Sequence, residues 1–141
     1  MSPARRDVVE EHLSAMEQAL SVLDRHHDRT TAELEADFER LLAVEHALQL
    51  AVQSALDVGA HVLAAHFGEH YDEYREIPAR LAARGVVDGA LGAELAALAG
   101  VRNVLVHHYL RVRVDLLREH VRAAPARLRR LAQALRALLD A

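Results

Sequence analysis

Apolar residues recur along this chain at intervals of three and four, with polar positions between them. From Asp7 to about Arg25 they are Val9, Leu13, Met16, Leu20 and Leu23, the one-sided stripe of an amphipathic helix. A polar run from Asp24 to Thr31 interrupts the stripe; Asp28 or Thr30 can cap the next helix, and Thr30 with Glu33 has the spacing of a capping box. That second helix is expected to be long, ending near Phe67-Gly68. Its seam reads Leu34, Phe38, Leu41, Glu45, Leu48, Val52, Ala55, Gly59, Leu63 and His66. Around 35 residues at 1.5 Å each make a rod of roughly 50 Å, long enough to be the spine of the domain, with Gly59 as the place where it could kink. Residues 69–90 are the least regular. Within them Glu76-Ile77-Pro78 reads as a helix start and Arg84-Gly85 as its stop. A further helix begins near Asp88 and carries Leu91, Leu95, Leu98, Val101, Leu105 and Val106, with Gly100 as a local weak point. The last spans about Val114 to Leu139, and Pro125 is expected to bend or divide it near Ala124.

Composition narrows the fold class. Of 141 residues, 27 are Ala and 23 are Leu, both strong helix formers, whereas only two Phe and three Tyr are present. The expectation is an all-α protein, an antiparallel bundle of four to five helices in one domain spanning residues 1–141. With no Cys, disulfide scaffolds, Cys-based zinc sites and cysteine nucleophiles are excluded. No charge-free apolar run approaches 18 residues, and the start, Met1-Ser2-Pro3-Ala4-Arg5-Arg6-Asp7, lacks a signal peptide's apolar stretch. A soluble cytoplasmic protein with no membrane partner is expected.

Charge changes the picture through its distribution. The formal net charge is −4, which argues against a nonspecific nucleic-acid coat, yet all 17 basic residues are Arg. Acids dominate from Asp7 to Glu76. From Arg102 to Arg136 nine Arg face only Asp115 and Glu119. A basic C-terminal third is compatible with a local anion site. Its array of Arg122, Arg127, Arg129, Arg130 and Arg136 reads first as a solvated face, and would guide RNA only if it lined a cleft.

The densest polar cluster in an apolar context is Arg102-Asn103-Val104-Leu105-Val106-His107-His108-Tyr109. Asn103 and His107, four apart, share a helix face, while Arg102 and His107 stand about 140° apart on an ideal helix. They converge only through the reach of Arg, a local break, or a second chain supplying half of the site. The chemistry is that of phosphodiester cleavage by an RNA 2′-hydroxyl: an imidazole that moves a proton near neutral pH and a guanidinium that binds phosphate. Spacing alone leaves a structural capping network open. Glu45, a carboxylate between Leu41 and Leu48, must meet an Arg or His partner or sit at a cleft. His61, His66, Glu69 and His70 have part of a metal box's spacing, but no matching Glu-x-x-His lies on a second helix, so a solvated helix end is the preferred reading.

Arg102-x4-His107-x-Tyr109 resembles the Rx4HxY motif of the HepT-like toxins of the HEPN ribonuclease superfamily. The likeness continues through Val44-Glu45-His46-Ala47-Leu48-Gln49, Gln53, Leu56-Asp57-Val58-Gly59-Ala60-His61-Val62-Leu63 and Gly85-Val86-Val87. Leu98-Ala99-Gly100-Val101 then leads into the motif, so that roughly residues 5–140 are covered. The resemblance implies a HEPN-like homodimer whose two motifs face one cleft, with Arg102 and His107 as the ribonuclease pair and Asn103 supporting them. It implies a metal-independent endoribonuclease toxin that uses no cofactor and leaves a 2′,3′-cyclic phosphate. A cognate MntA-like minimal nucleotidyltransferase antitoxin would silence it by AMPylation of Tyr109, adding charge and bulk at the cleft that Glu45 borders. The alternative is a non-catalytic HEPN-type dimer that binds RNA or such a partner. One departure stands out: relatives carry an aliphatic residue and an acid after the Tyr, where this chain has Val112-Arg113 before Val114-Asp115.

Overall fold

A computed structural model describes residues 4–107 and 113–141, with His107 described by its backbone alone. Six helices follow one another among the described residues: α1 (Arg6–Arg25), α2 (Thr31–Glu35), α3 (Phe38–Phe67), α4 (Glu76–Ala83), α5 (Gly89–His107) and α6 (Val114–Asp140). Four are long and form the antiparallel bundle; α2 and α4 are short. The expected stripe of α1 is buried as written, with Val9, Leu13, Met16, Leu20 and Leu23 all at the core.

The spine helix differs from its expected form at one point. Leu34 belongs to the separate α2, and α3 starts at Phe38. Asp37 makes the break, in an extended conformation with φ −132° and ψ 104°, its side-chain oxygen accepting the Arg40 N–H at 3.2 Å. The apolar spacing runs across the break in sequence, yet Leu34 is buried and Phe38 is not. A capping carboxylate nonetheless satisfies an orphan N–H that an uninterrupted helix would have bonded internally. Phe38 is left 70% exposed as a result. The capping box at α2 is formed: the Thr30 hydroxyl accepts the Glu33 N–H and the Glu33 carboxylate accepts the Thr30 N–H.

From Phe38 the helix runs 30 residues without interruption, through Gly59, to a left-handed cap at Gly68 with φ 67°. Gly59 serves packing. A Cβ there would stand 2.8 Å from Ile77 Cγ2 and 3.2 Å from Leu81 Cδ1, so the missing side chain is what lets α4 lie against α3. Helix α4 begins and stops where the sequence indicated, with Gly85 at φ 73° just beyond it. Asp88 caps α5 by accepting the Leu91 N–H at 2.7 Å. Pro125 does not divide α6, which is one helix of 27 residues with Pro125 buried inside it.

The buried residues from Ala4 to Leu135 make one contiguous hydrophobic cluster, and no polar residue among those described is buried. Two helices, Phe38–Phe67 and the Gly89–Val106 part of α5, are long and apolar enough to cross a membrane; 56% of the α3 stretch is buried inside the fold, which marks a core helix.

The uneven charge distribution resolves into helix pairing. Arg129 of α6 reaches both Glu17 and Asp24 of α1 at 2.7 Å, Arg136 bonds Glu10 at 3.0 Å, and Arg6 pairs with Asp140 at 2.6 Å. Arg127 and Arg130 share Glu94 of α5, while Arg118 and Arg122 donate to the carbonyls of Arg29 and His27. The Arg array thus ties α6 to α1 and α5. Each exposed pair contributes about 0–1 kcal/mol, so the array fixes helix register more than it adds stability.

Because Ile77 is β-branched and buried, the space beside Gly59 cannot open cheaply. Gly59→Leu is expected to lower the unfolding free energy by about 2–3 kcal/mol in denaturant titration. An unchanged midpoint would show that α4 is not held against α3.

Candidate functional site

Arg102 lies half-buried on α5 and turns toward α3. Its Nε–H donates to Gln53 Oε1 at 2.7 Å. The Gln53 amide nitrogen donates in turn to Asp57 Oδ1 and to the Tyr74 hydroxyl oxygen, both at 2.9 Å, and the Tyr74 hydroxyl donates to Asp57 Oδ1 at 3.1 Å. The guanidinium also lies over the Tyr74 ring, its Cζ 4.8 Å from the ring centroid, within cation–π range. Tyr71 stacks on Tyr74 at 5.6 Å with the planes 29° apart. Burial, aided by the neighbouring Asp57 carboxylate and opposed by the bond from Gln53, pushes the Tyr74 phenol above its ordinary value, so it stays a donor at neutral pH.

Asn103, next in sequence, is exposed and lines an open groove of about 790 Å³ with Tyr71, Tyr74, Gly100 and Val104. Glu45 lies at a groove. It makes no ion pair with a described residue and lines a second groove, of about 320 Å³, with Leu42, His46, Gln49, Leu105 and Val106. Burial alone pushes its carboxyl above the usual range. Leu105 and Val106 precede His107 directly, so Glu45 sits beside the end of α5 that carries the motif. The side chain of His107, and Tyr109 altogether, lie outside the described residues. Arg113, the residue that departs from the family pattern, precedes α6 and bonds Asp115 at 2.6 Å, so its added charge is shared with an acid.

The histidines with metal-box spacing have another use. His61 Nε2 accepts the Arg5 N–H at 3.2 Å and His66 Nδ1 accepts the Ala4 N–H at 3.4 Å, anchoring the chain as it enters α1. Glu69 pairs with Arg80 and Arg84. Three side chains of the site went unassigned in the sequence. Gln53 and Asp57 sit in the family-like stretch and carried a signal, two polar residues at i and i+4 on the spine helix. Tyr74 lies in the irregular segment before α4, where no periodicity marks it.

A family model described as ribonuclease HepT-like matches residues 9–135, and the chain belongs to that family. It is 28% identical over 103 residues to a tRNA nuclease HepT of Aphanizomenon flos-aquae (strain 2012/KM1/D3), covering 72% of this chain and 69% of the relative. The fold is that of a toxin–antitoxin structure with AMP-PNP, at TM-score 0.85 and 16% identity over 94% of this chain and 99% of the other. YutE of Bacillus subtilis, described as a cytosolic protein of unknown function, matches with TM-score 0.85 and 24% identity over 99% and 94% of the two chains. So does the tri-AMPylated Shewanella oneidensis HEPN toxin solved with its MNT antitoxin, at TM-score 0.84 and 16% identity over 94% and 99%.

Three imidazoles are held below their ordinary value of 6.5 chiefly by burial: His26, His61 and His120, each with Arg nearby. Depressed folded-state values mean that the unfolded chain binds more protons below pH 6.5. Their contribution is thus complete above that pH and is lost as the pH falls through it toward the folded-state values. The urea midpoint is expected to drop between pH 7.5 and 5.5, with amide exchange at Arg5 rising first. A midpoint that holds or climbs over that interval would contradict this.

Proposed function

We propose that this protein is a metal-independent endoribonuclease toxin of a type II HepT/MntA-like pair. The observation that carries the reading is Arg102, the first residue of Rx4HxY, fixed through Nε by α3 and through its face by Tyr74. Membership of the HepT-like family supports it, as does the curated relative that is a tRNA nuclease. A guanidinium with settled orientation binds a phosphodiester and stabilises charge on its oxygens as the 2′-hydroxyl attacks. His107 takes the 2′-hydroxyl proton and returns a proton to the leaving 5′-oxygen. The nucleophile belongs to the substrate, so neither an enzyme nucleophile nor a cofactor is required. Asn103 is the supporting polar residue at the adjoining groove, and Glu45 borders the cleft without a catalytic role.

The homodimer of this reading brings together surfaces that the single chain leaves uncovered. Leu42, Val104 and Leu116 are each more than 40% exposed around the grooves that flank the C-terminal half of α5. Facing motifs would ease the angular separation of Arg102 and His107. Silencing is assigned to an MntA-like nucleotidyltransferase acting on Tyr109, by analogy with the AMPylated Shewanella toxin; adenylate there would exclude RNA by charge and bulk. The protein would act in the cytoplasm.

Purified dimer carrying no adenylate is expected to cut RNA in EDTA, and Arg102→Ala and His107→Ala should each lower the rate by about 10²- to 10³-fold. RNA with a 2′-deoxy substitution at the scissile position should be resistant. Equal cutting of that substrate overturns the 2′-hydroxyl mechanism. A folded, unmodified dimer that cuts no RNA overturns the enzyme and favours the binding module.

A further inference from the structure

The ribonuclease reading assigns no role to Gln53, Asp57 or Tyr74, although they make the densest set of side-chain contacts in the described part of the site. We propose that these three are positioning residues that lock the Arg102 guanidinium with its two terminal nitrogens directed to substrate phosphate. The inference rests on the reading of Arg102 as the phosphate clamp.

Each contact removes one freedom. The Nε–H bond to Gln53 sets the rotation of the guanidinium within its own plane, and the Tyr74 ring sets the plane. Gln53 can present only its oxygen to Arg102, because its nitrogen is already committed to Asp57 and to Tyr74. A flipped amide would set donor against donor and strand both other partners. The Tyr74 hydroxyl closes the ring of bonds by donating to Asp57. Tyr71 stacks on Tyr74 and steadies the ring. With Nε occupied, the side-on edge of Arg102 is unavailable, and among the described residues Nη1 and Nη2 have no partner. The end-on edge is therefore the one left for two parallel bonds to phosphate oxygens. Holding a catalytic charge in place before substrate arrives is what makes such a group effective.

The arrangement differs from an ordinary helix tie. A tie between α3 and α5 would be served by any salt bridge, such as the Arg130–Glu94 pair elsewhere in this fold. Here the acid, Asp57, is bonded to Gln53 and Tyr74, while a neutral amide oxygen bonds the Arg. The cation thus keeps its attraction for an anionic ligand instead of being neutralised by its neighbour.

Two readouts on the full-length dimer test this, with Gln53→Leu, Tyr74→Leu and Tyr74→Phe. In steady-state cleavage of RNA, Gln53→Leu and Tyr74→Leu should lower kcat about 10- to 100-fold while KM changes less than about threefold, the loss typical of a misplaced catalytic group. Tyr74→Phe, which keeps the ring, should retain most of the rate. In proton–nitrogen correlation spectra, the Arg102 Nε–H signal, assigned by its loss in Arg102→Lys, should be sharp and slow to exchange in the wild type. It should broaden or vanish in Gln53→Leu. If the wild type cuts RNA and folded Gln53→Leu and Tyr74→Leu keep wild-type kcat, the proposal is overturned. If the wild type cuts no RNA, the ribonuclease reading fails and the spectra decide alone. A protected signal lost in Gln53→Leu then sustains the lock, and a signal alike in both proteins refutes it.

Discussion

The fold depends on one constraint: α3 carries a broad apolar face that several neighbouring helices must cover at once. Its 30 residues bury Val44, Leu48, Val52, Leu56, Val62 and Leu63 together with the small residues Ala47, Ala51, Ala55 and Gly59. The small positions let neighbouring helices approach closely, and Gly59 admits α4 at a distance that a methyl group would forbid. Such a helix is an unfavourable place for polar groups unless they satisfy one another. Gln53 and Asp57 meet that condition through Tyr74 and Arg102. The helix that organises the core also positions the charge at the candidate site, so packing and chemistry share one element.

Electrostatics in this chain serves two separate ends. The Arg of α6 is matched to carboxylates on α1 and α5, which turns a basic tail and an acidic beginning into complementary faces. Arg102 is treated differently, receiving an amide oxygen and an aromatic face. An Arg count over the C-terminal third cannot distinguish the two. What distinguishes them is which neighbour each guanidinium meets, and those neighbours lie tens of residues away in sequence.

Much of the architecture was legible because amphipathic helices bury what their period predicts. The stripe of α1, the capping box at Thr30, the start and stop of α4 and the cap at Asp88 follow from local chemistry. The break at Asp37 was not read, since apolar spacing carries through it and a single capping carboxylate decides the matter. Of the two effects expected of Pro125, division does not occur: it sits buried inside one continuous helix. At the site, the motif and a charge in an apolar seam drew attention to Arg102, Asn103 and Glu45 as candidates. The partners of Arg102 were not legible, because a contact between residues 49 positions apart leaves no periodic trace. The histidines near His61 showed spacing without purpose until the incoming chain at Ala4 and Arg5 was seen to use them.

The central claim is that a fixed guanidinium and an imidazole on one motif cut RNA through the substrate's own hydroxyl. The most direct measurement is the mass of the newly formed 3′ end after cleavage in the presence of chelator. The account predicts a 2′,3′-cyclic phosphate, formed by the wild type and not by the Arg102→Ala protein. A 3′-hydroxyl end, with the phosphate left on the 5′ fragment, would contradict it.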